Sequence, residues 1–210
     1  MPKPINDTTA GRPLKLLVYT DGSAVSANAL HFAAQLTQKL AAELAVITTR
    51  SGTHAIEPLP PVGQDIILSD RKALPSGLQV LTAALDVLSA EGLLEGQSSL
   101  QVHELHNGHN FVCNTLSGQR VPFYVCFGHM LETLNHEIEK HHYDLLIIAP
   151  PQRKRLHKMM LGNISRKLVL DLHTSVLIVR GGRPVPPAQA LLAGYRTAGG
   201  NCLCYGSRQR

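Results

Sequence analysis

Thr20-Asp21-Gly22-Ser23, with Ser26 three residues further on, stands directly after the short apolar run Lys15–Thr20. A carboxylate at the carboxyl end of a first strand lies where ligands of open α/β sheets bind. Asp21 there can accept hydrogen bonds from a sugar or a base. Asp21 or Ser23 can equally well cap the helix that follows, and one residue can do both. A second constellation lies far along the chain, in YDLLIIAPPQRKRLHKMMLGNISRKLVLDLHTSVLIVRG (Tyr143–Gly181). It reads as a buried strand, a basic loop, a Leu-Gly-Asn-Ile-Ser turn opening a helix, and another buried strand. A helix that opens just after a glycine turns free N–H groups and its positive dipole end toward an anion or phosphate.

Other chemistries of a first-strand aspartate fit poorly. A dehalogenase-type phosphatase needs a nucleophilic Asp two residues before its acid, where this chain has Tyr19. A phosphoacceptor receiver domain needs a further acid before Asp21 and an Asp ending the third strand; Tyr19-Thr20 and Leu105-His106 stand there instead. GxxxxGK[ST], GxGxxG and GxSxG are all absent. His103, His106 and His109 recur at intervals of three near Cys113 and Cys126, but on a strand that spacing alternates faces and no CxxC supports it. No metal cluster and no catalysis are expected.

The +5 net charge of the 210 residues is local. Residues 1–149 carry 9 Lys/Arg against 14 Asp/Glu, whereas 150–170 hold Arg153, Lys154, Arg155, Lys158, Arg166 and Lys167 with no acid. Such a patch suits nucleotide phosphates, nucleic acid, a partner's acidic face, or plain solvation. Aromatic content of 4% without Trp offers few stacking platforms, which ranks a nucleotide above nucleic acid. No 18-residue apolar run and no N-terminal signal are found. Four cysteines do not make a disulfide framework in a chain this long, so a cytoplasmic location is expected.

Apolar runs and helical periodicity alternate around these residues. Strands are expected at Lys15–Thr20, Leu44–Thr49, Leu100–Leu105, Leu145–Ala149 and Ser175–Arg180; helices at Ala24–Leu40, Leu78–Leu88, Met130–His141 and Ile164–Leu172. Ser51–Asp70 reads as a loop. Near-continuous apolar strands alternating with helices imply a parallel sheet covered on both faces, a three-layer α/β sandwich. Asn107–Gly128 holds two apolar segments around Ser117-Gly118-Gln119 and reads as a β-hairpin insertion. Residues 182–210 form a basic Gly/Pro-rich tail, expected to add little to the core.

The strand–Asp-Gly-Ser-xx-Ser–helix start, with DLLIIA, LGNIS and SVLIVRG near the end, resembles the universal stress protein family over about residues 14–181, after an N-terminal extension of 1–13. The resemblance implies a five-stranded parallel sheet and a homodimer formed through the last strand, Ser175–Arg180. Its nucleotide-binding branch carries a glycine, two residues, a glycine, nine residues and then Gly-Ser/Thr. Laid on this chain, these positions fall on Ala149, Gln152, Gly162 and Asn163. Two glycines that let a backbone approach phosphates are therefore lost, and Pro150-Pro151 stiffen the loop and remove two donors.

The ligand implied by the resemblance is ATP or another adenine nucleotide, held by Thr20, Asp21, Val46, Ile47, Ile148, Ala149, Gln152, Gly162, Asn163, Ile164 and Ser165. Arg153, Lys154, Arg155 and Lys158 can replace some of the missing backbone donors. The expected function is a non-catalytic stress-response regulatory module with a weakened nucleotide site and an unidentified protein partner. The alternatives are a ligand-free dimeric interaction protein and a slow adenine-nucleotide hydrolase.

Overall fold

The computed structural model describes residues 12–51, 65–149, 172, 174–179 and 202–205. Its strands are β1 (Lys15–Tyr19), β2 (Glu43–Arg50), β3 (Asp65–Ile67), β4 (Ser99–Gln101), β5 (His103–Leu105), β6 (Gly108–Asn114), β7 (Arg120–Phe127), β8 (Leu145–Ile148), β9 (Ser175–Val179) and β10 (Cys202–Tyr205). Its helices are α1 (Ala24–Leu40), α2 (Ser76–Ala90) and α3 (Met130–His141), with a 3-10 turn at Leu68–Ala73. The main sheet runs β10-β9-β8-β1-β2-β7-β6-β5, and β3 pairs with β4 in a separate antiparallel ribbon. All pairs from β10 to β7 are parallel; β7-β6 and β6-β5 are antiparallel.

The middle strands are apolar on both faces because both faces are covered. Leu16, Val18, Leu44 and Val46 face a core under α1 and α2, while Leu17, Ala45, Ile47, Leu146 and Ile148 face a core that takes in Leu134 and Ile138 of α3. Helix ends follow local chemistry. Ser23 caps α1, its side chain accepting from the Ser26 N–H, and Ala41 closes that helix at φ 48°. His142 closes α3 in the same left-handed conformation, at φ 56°.

The hairpin expected between Asn107 and Gly128 is present as β6 and β7, but its second strand also pairs in parallel with β2, from Val46↔Phe123 to Arg50↔Phe127. RVPFYVCF can occupy a two-sided interior, with Val121, Phe123, Val125 and Cys126 all buried. The expected strand Leu100–Leu105 cannot, because His103 and Glu104 are exposed. It is divided into β4, on the side ribbon, and β5, the outermost strand. The loop expected from Ser51 to Asp70 holds β3, which forms only because Ile66 pairs with Leu100.

The last expected strand is not an edge. Cys202–Tyr205 pairs with Val176–Val179, so the tail extends the sheet over the border through which the homodimer was expected to form. Unpaired edge groups invite a covering strand, and here the chain's own tail supplies it. The expected helix at Ile164–Leu172 lies outside the described residues apart from Leu172, which is buried in the α3-side core.

Candidate functional site

Strand order sets the place of the site. From β1 the chain moves through α1 to β2 on one side, and it later returns to β8 on the other, so β1 and β8 border the point where the winding reverses. Ligands of open α/β sheets bind outside the carboxyl ends of strands at such a point. Tyr19 is paired with both Ile47 and Ile148, which puts Thr20-Asp21 and Ile148-Ala149 on adjacent strand ends beside Val46-Ile47, past which β2 runs on for three more residues to Arg50.

The turn after β1 is tied by short hydrogen bonds. Thr20 N–H donates to the Ile47 carbonyl at 3.0 Å. Thr20 is 1% exposed, and its hydroxyl lies 3.0 Å from the Ser26 hydroxyl and accepts from the Gly22 N–H at 3.2 Å. Ser26 Oγ donates to the Ser23 carbonyl at 2.8 Å. Asp21 Oδ1 accepts from the Ser23 N–H at 2.9 Å, while Asp21 as a whole remains exposed. Gly22 is at φ +80°, a conformation L side chains rarely adopt, which suits a glycine between the carboxylate and the cap.

Partial burial alone would raise the Asp21 pKa, yet the hydrogen bonds from Ser23 and Ser26 outweigh it and hold the group below its ordinary value. The carboxylate is therefore ionised at neutral pH, fixed in direction and open to solvent. It is an acceptor suited to hydroxyl or amino groups. Ser23 alone caps the helix with its side chain, and Asp21 faces outward.

The other residues named for the site differ in what they offer. Val46 and Ile47 are 0% exposed, with side chains in opposite cores and the Ile47 carbonyl already engaged by Thr20. Ile148 and Ala149 are also buried. Together they form the floor beneath the strand ends. Gln152, Gly162, Asn163, Ile164 and Ser165, with the basic residues Arg153, Lys154, Arg155 and Lys158, lie outside the described residues. Ser26 was not among the residues expected in the site, although its hydroxyl bonds both Thr20 and Ser23. Its spacing of three from the cap was the available signal.

The histidine series does not converge. His103 is exposed on β5 opposite Asn110, whereas His109 is 3% exposed on β6 opposite Glu104. Among the described residues no group of three His, Cys, Asp or Glu side chains is placed to hold a metal. No helix among them is long and apolar enough to cross a membrane.

A family model described as the universal stress protein family matches residues 14–180, most of the chain. The chain belongs to the universal stress protein family. Universal stress protein UspA from Lactobacillus plantarum superposes with a TM-score of 0.51 at 14% identity, covering 81% of this chain and 99% of that one. A universal stress protein solved in complex with cAMP gives a TM-score of 0.48 at 18% identity, over 79% of this chain and 95% of its own. One from Archaeoglobus fulgidus gives 0.47 at 12% identity, over 79% and 93%. No curated protein matches the chain. At these identities the solved structures speak to the fold, and the α/β sheet with its mostly parallel order is the one the family shares.

Proposed function

We propose that this universal stress protein is a non-catalytic regulatory module that binds an adenine nucleotide across the carboxyl ends of β1, β2 and β8. The observation that carries this reading is Asp21: an ionised, solvent-facing carboxylate, held in direction by Ser23, at the point where the sheet's winding reverses. In this reading Asp21 accepts from the ribose or the base. Ile47, Ile148 and Ala149 make the floor, and Gly162, Asn163 and Ser165 meet the phosphates. Occupancy alters a surface seen by a partner.

Isothermal calorimetry with adenosine and with ATP tests it. Asp21→Ala should weaken both ligands at least tenfold, the scale of one charge-assisted hydrogen bond of about 1.5–3 kcal/mol. Binding of both ligands unchanged in that variant would remove Asp21 from the site. Steady phosphate release from ATP would replace the non-catalytic reading with that of a hydrolase.

A further inference from the structure

We propose that Ser26 is a positioning residue for the nucleotide site, a role that rests on the reading of Asp21 given above. It touches no ligand; from beneath the turn after β1 it fixes the direction in which Asp21 presents its carboxylate. The turn's own chemistry creates the need for such a residue. Gly22, at φ +80°, contributes no side chain and little stiffness. Asp21 is exposed, so close packing does not select one of its staggered χ1 wells. Whatever holds the carboxylate in one direction must come from hydrogen bonds.

The protons can be followed one by one. Ser23 ties Asp21 directly, its N–H donating to Asp21 Oδ1 at 2.9 Å. Ser26 in turn ties Ser23 at two points. Its N–H donates to Ser23 Oγ at 3.2 Å, and its Oγ–H donates to the Ser23 carbonyl at 2.8 Å. With its one proton spent there, the Ser26 oxygen is the acceptor in the 3.0 Å bond to the Thr20 hydroxyl. Thr20 Oγ1 itself accepts from the Gly22 N–H at 3.2 Å. The series therefore runs from Gly22 N–H through the hydroxyls of Thr20 and Ser26 to the Ser23 carbonyl. It grips the backbone of the two residues that follow Asp21.

A serine that bonds the carbonyl three residues back in a helix commonly serves only the backbone. Two observations give Ser26 more to do. Its oxygen also accepts from Thr20, which joins the first turn of α1 to the end of β1 through residues 2% and 1% exposed. And its hydroxyl is among the groups that hold the Asp21 pKa down against the effect of burial, so its influence reaches the carboxylate. Thr20, whose hydroxyl proton goes to Ser26, supports the site from the same side and offers its ligand no donor.

Two readouts on the full-length chain test this. In the unliganded protein at neutral pH, three-bond couplings from backbone nitrogen and carbonyl carbon to Asp21 Cγ report its χ1 rotamer. The natural chain should show one rotamer, and Ser26→Ala an average over several. Calorimetry with ATP then compares the natural chain, Ser26→Ala, Asp21→Ala and the double variant. Ser26→Ala should weaken ATP about fivefold, the scale of one neutral hydrogen bond. In the Asp21→Ala background it should cost nothing further, because its effect passes through the carboxylate.

An Asp21 side chain already averaged in the natural chain, or still in one rotamer in Ser26→Ala, overturns the proposal. A loss that persists undiminished in the Asp21→Ala background overturns it too, since Ser26 would then act without the carboxylate. Should Ser26→Ala not fold, Thr20→Val keeps the volume, removes the proton donated to Ser26 and decides by the same readouts. A natural chain that binds no adenine nucleotide removes the function proposed above, and the couplings alone then decide whether Ser26 positions Asp21.

Discussion

Gly77→Ala is a substitution for which two effects of opposite sign compete. In a helix, alanine in place of glycine stabilises by up to about 1 kcal/mol. Here the added methyl would lie 2.5 Å from Val125 Cγ1, 3.2 Å from its Cγ2 and 3.5 Å from its Cβ. Carbon atoms in comfortable contact sit at about 3.5–4.0 Å, so roughly 1 Å must be found. Val125 is 2% exposed and β-branched, which leaves its methyls little room to turn in a packed interior. Overpacking of this kind costs about 1–3 kcal/mol, more than the propensity returns.

The net expectation for Gly77→Ala is a loss of about 1–2 kcal/mol, read as a urea midpoint lowered by about 0.5–1 M. The Val125→Ala background isolates the cause. With the two methyls gone, Gly77→Ala should become neutral or stabilising, a coupling of about 1–3 kcal/mol. A raised midpoint in the natural background would refute the reasoning. The same penalty with and without Val125 would refute it equally.

Two further expectations concern charge and the sheet edge. The folded-state pKa of Asp21 lies below its ordinary value of 3.8, so its contribution to stability is present above that pH and is lost as pH falls through the folded value. The difference in urea midpoint between the natural chain and Asp21→Asn should thus be constant above about pH 5 and shrink in more acidic solution; a gap independent of pH would contradict it. Removing residues 182–210 uncovers the β9 edge, from which Cys202–Tyr205 would be missing. The shortened chain should self-associate with rising concentration in sedimentation, through strand pairing of two copies at Ser175–Val179. A shortened chain that stays monomeric would sink that expectation.

What the sequence determined by itself was local. Continuous apolar runs such as LLVY and LLII mark strands covered on two faces, helical periodicity marks α1 to α3, and Asp-Gly-Ser-xx-Ser announces a strand end followed by a capped helix. Each of these signals depends on neighbours a few residues away. The tertiary structure decided which strands meet. That RVPFYVCF, and not Leu100–Leu105, lies beside β2 depends on a register formed across more than 70 residues of chain, and period-2 alternation carries no record of the partner.

The same holds for the edge strand supplied by the tail, and for the division of labour by which Ser23 caps while Asp21 faces outward. It holds most clearly for Arg50 and His109. In the sequence they are the charged end of one strand and the last of three evenly spaced histidines. They come to flank Phe127 because β7 is hydrogen-bonded to β2 on one side and to β6 on the other, and a pairing of that kind exists only once the sheet has closed.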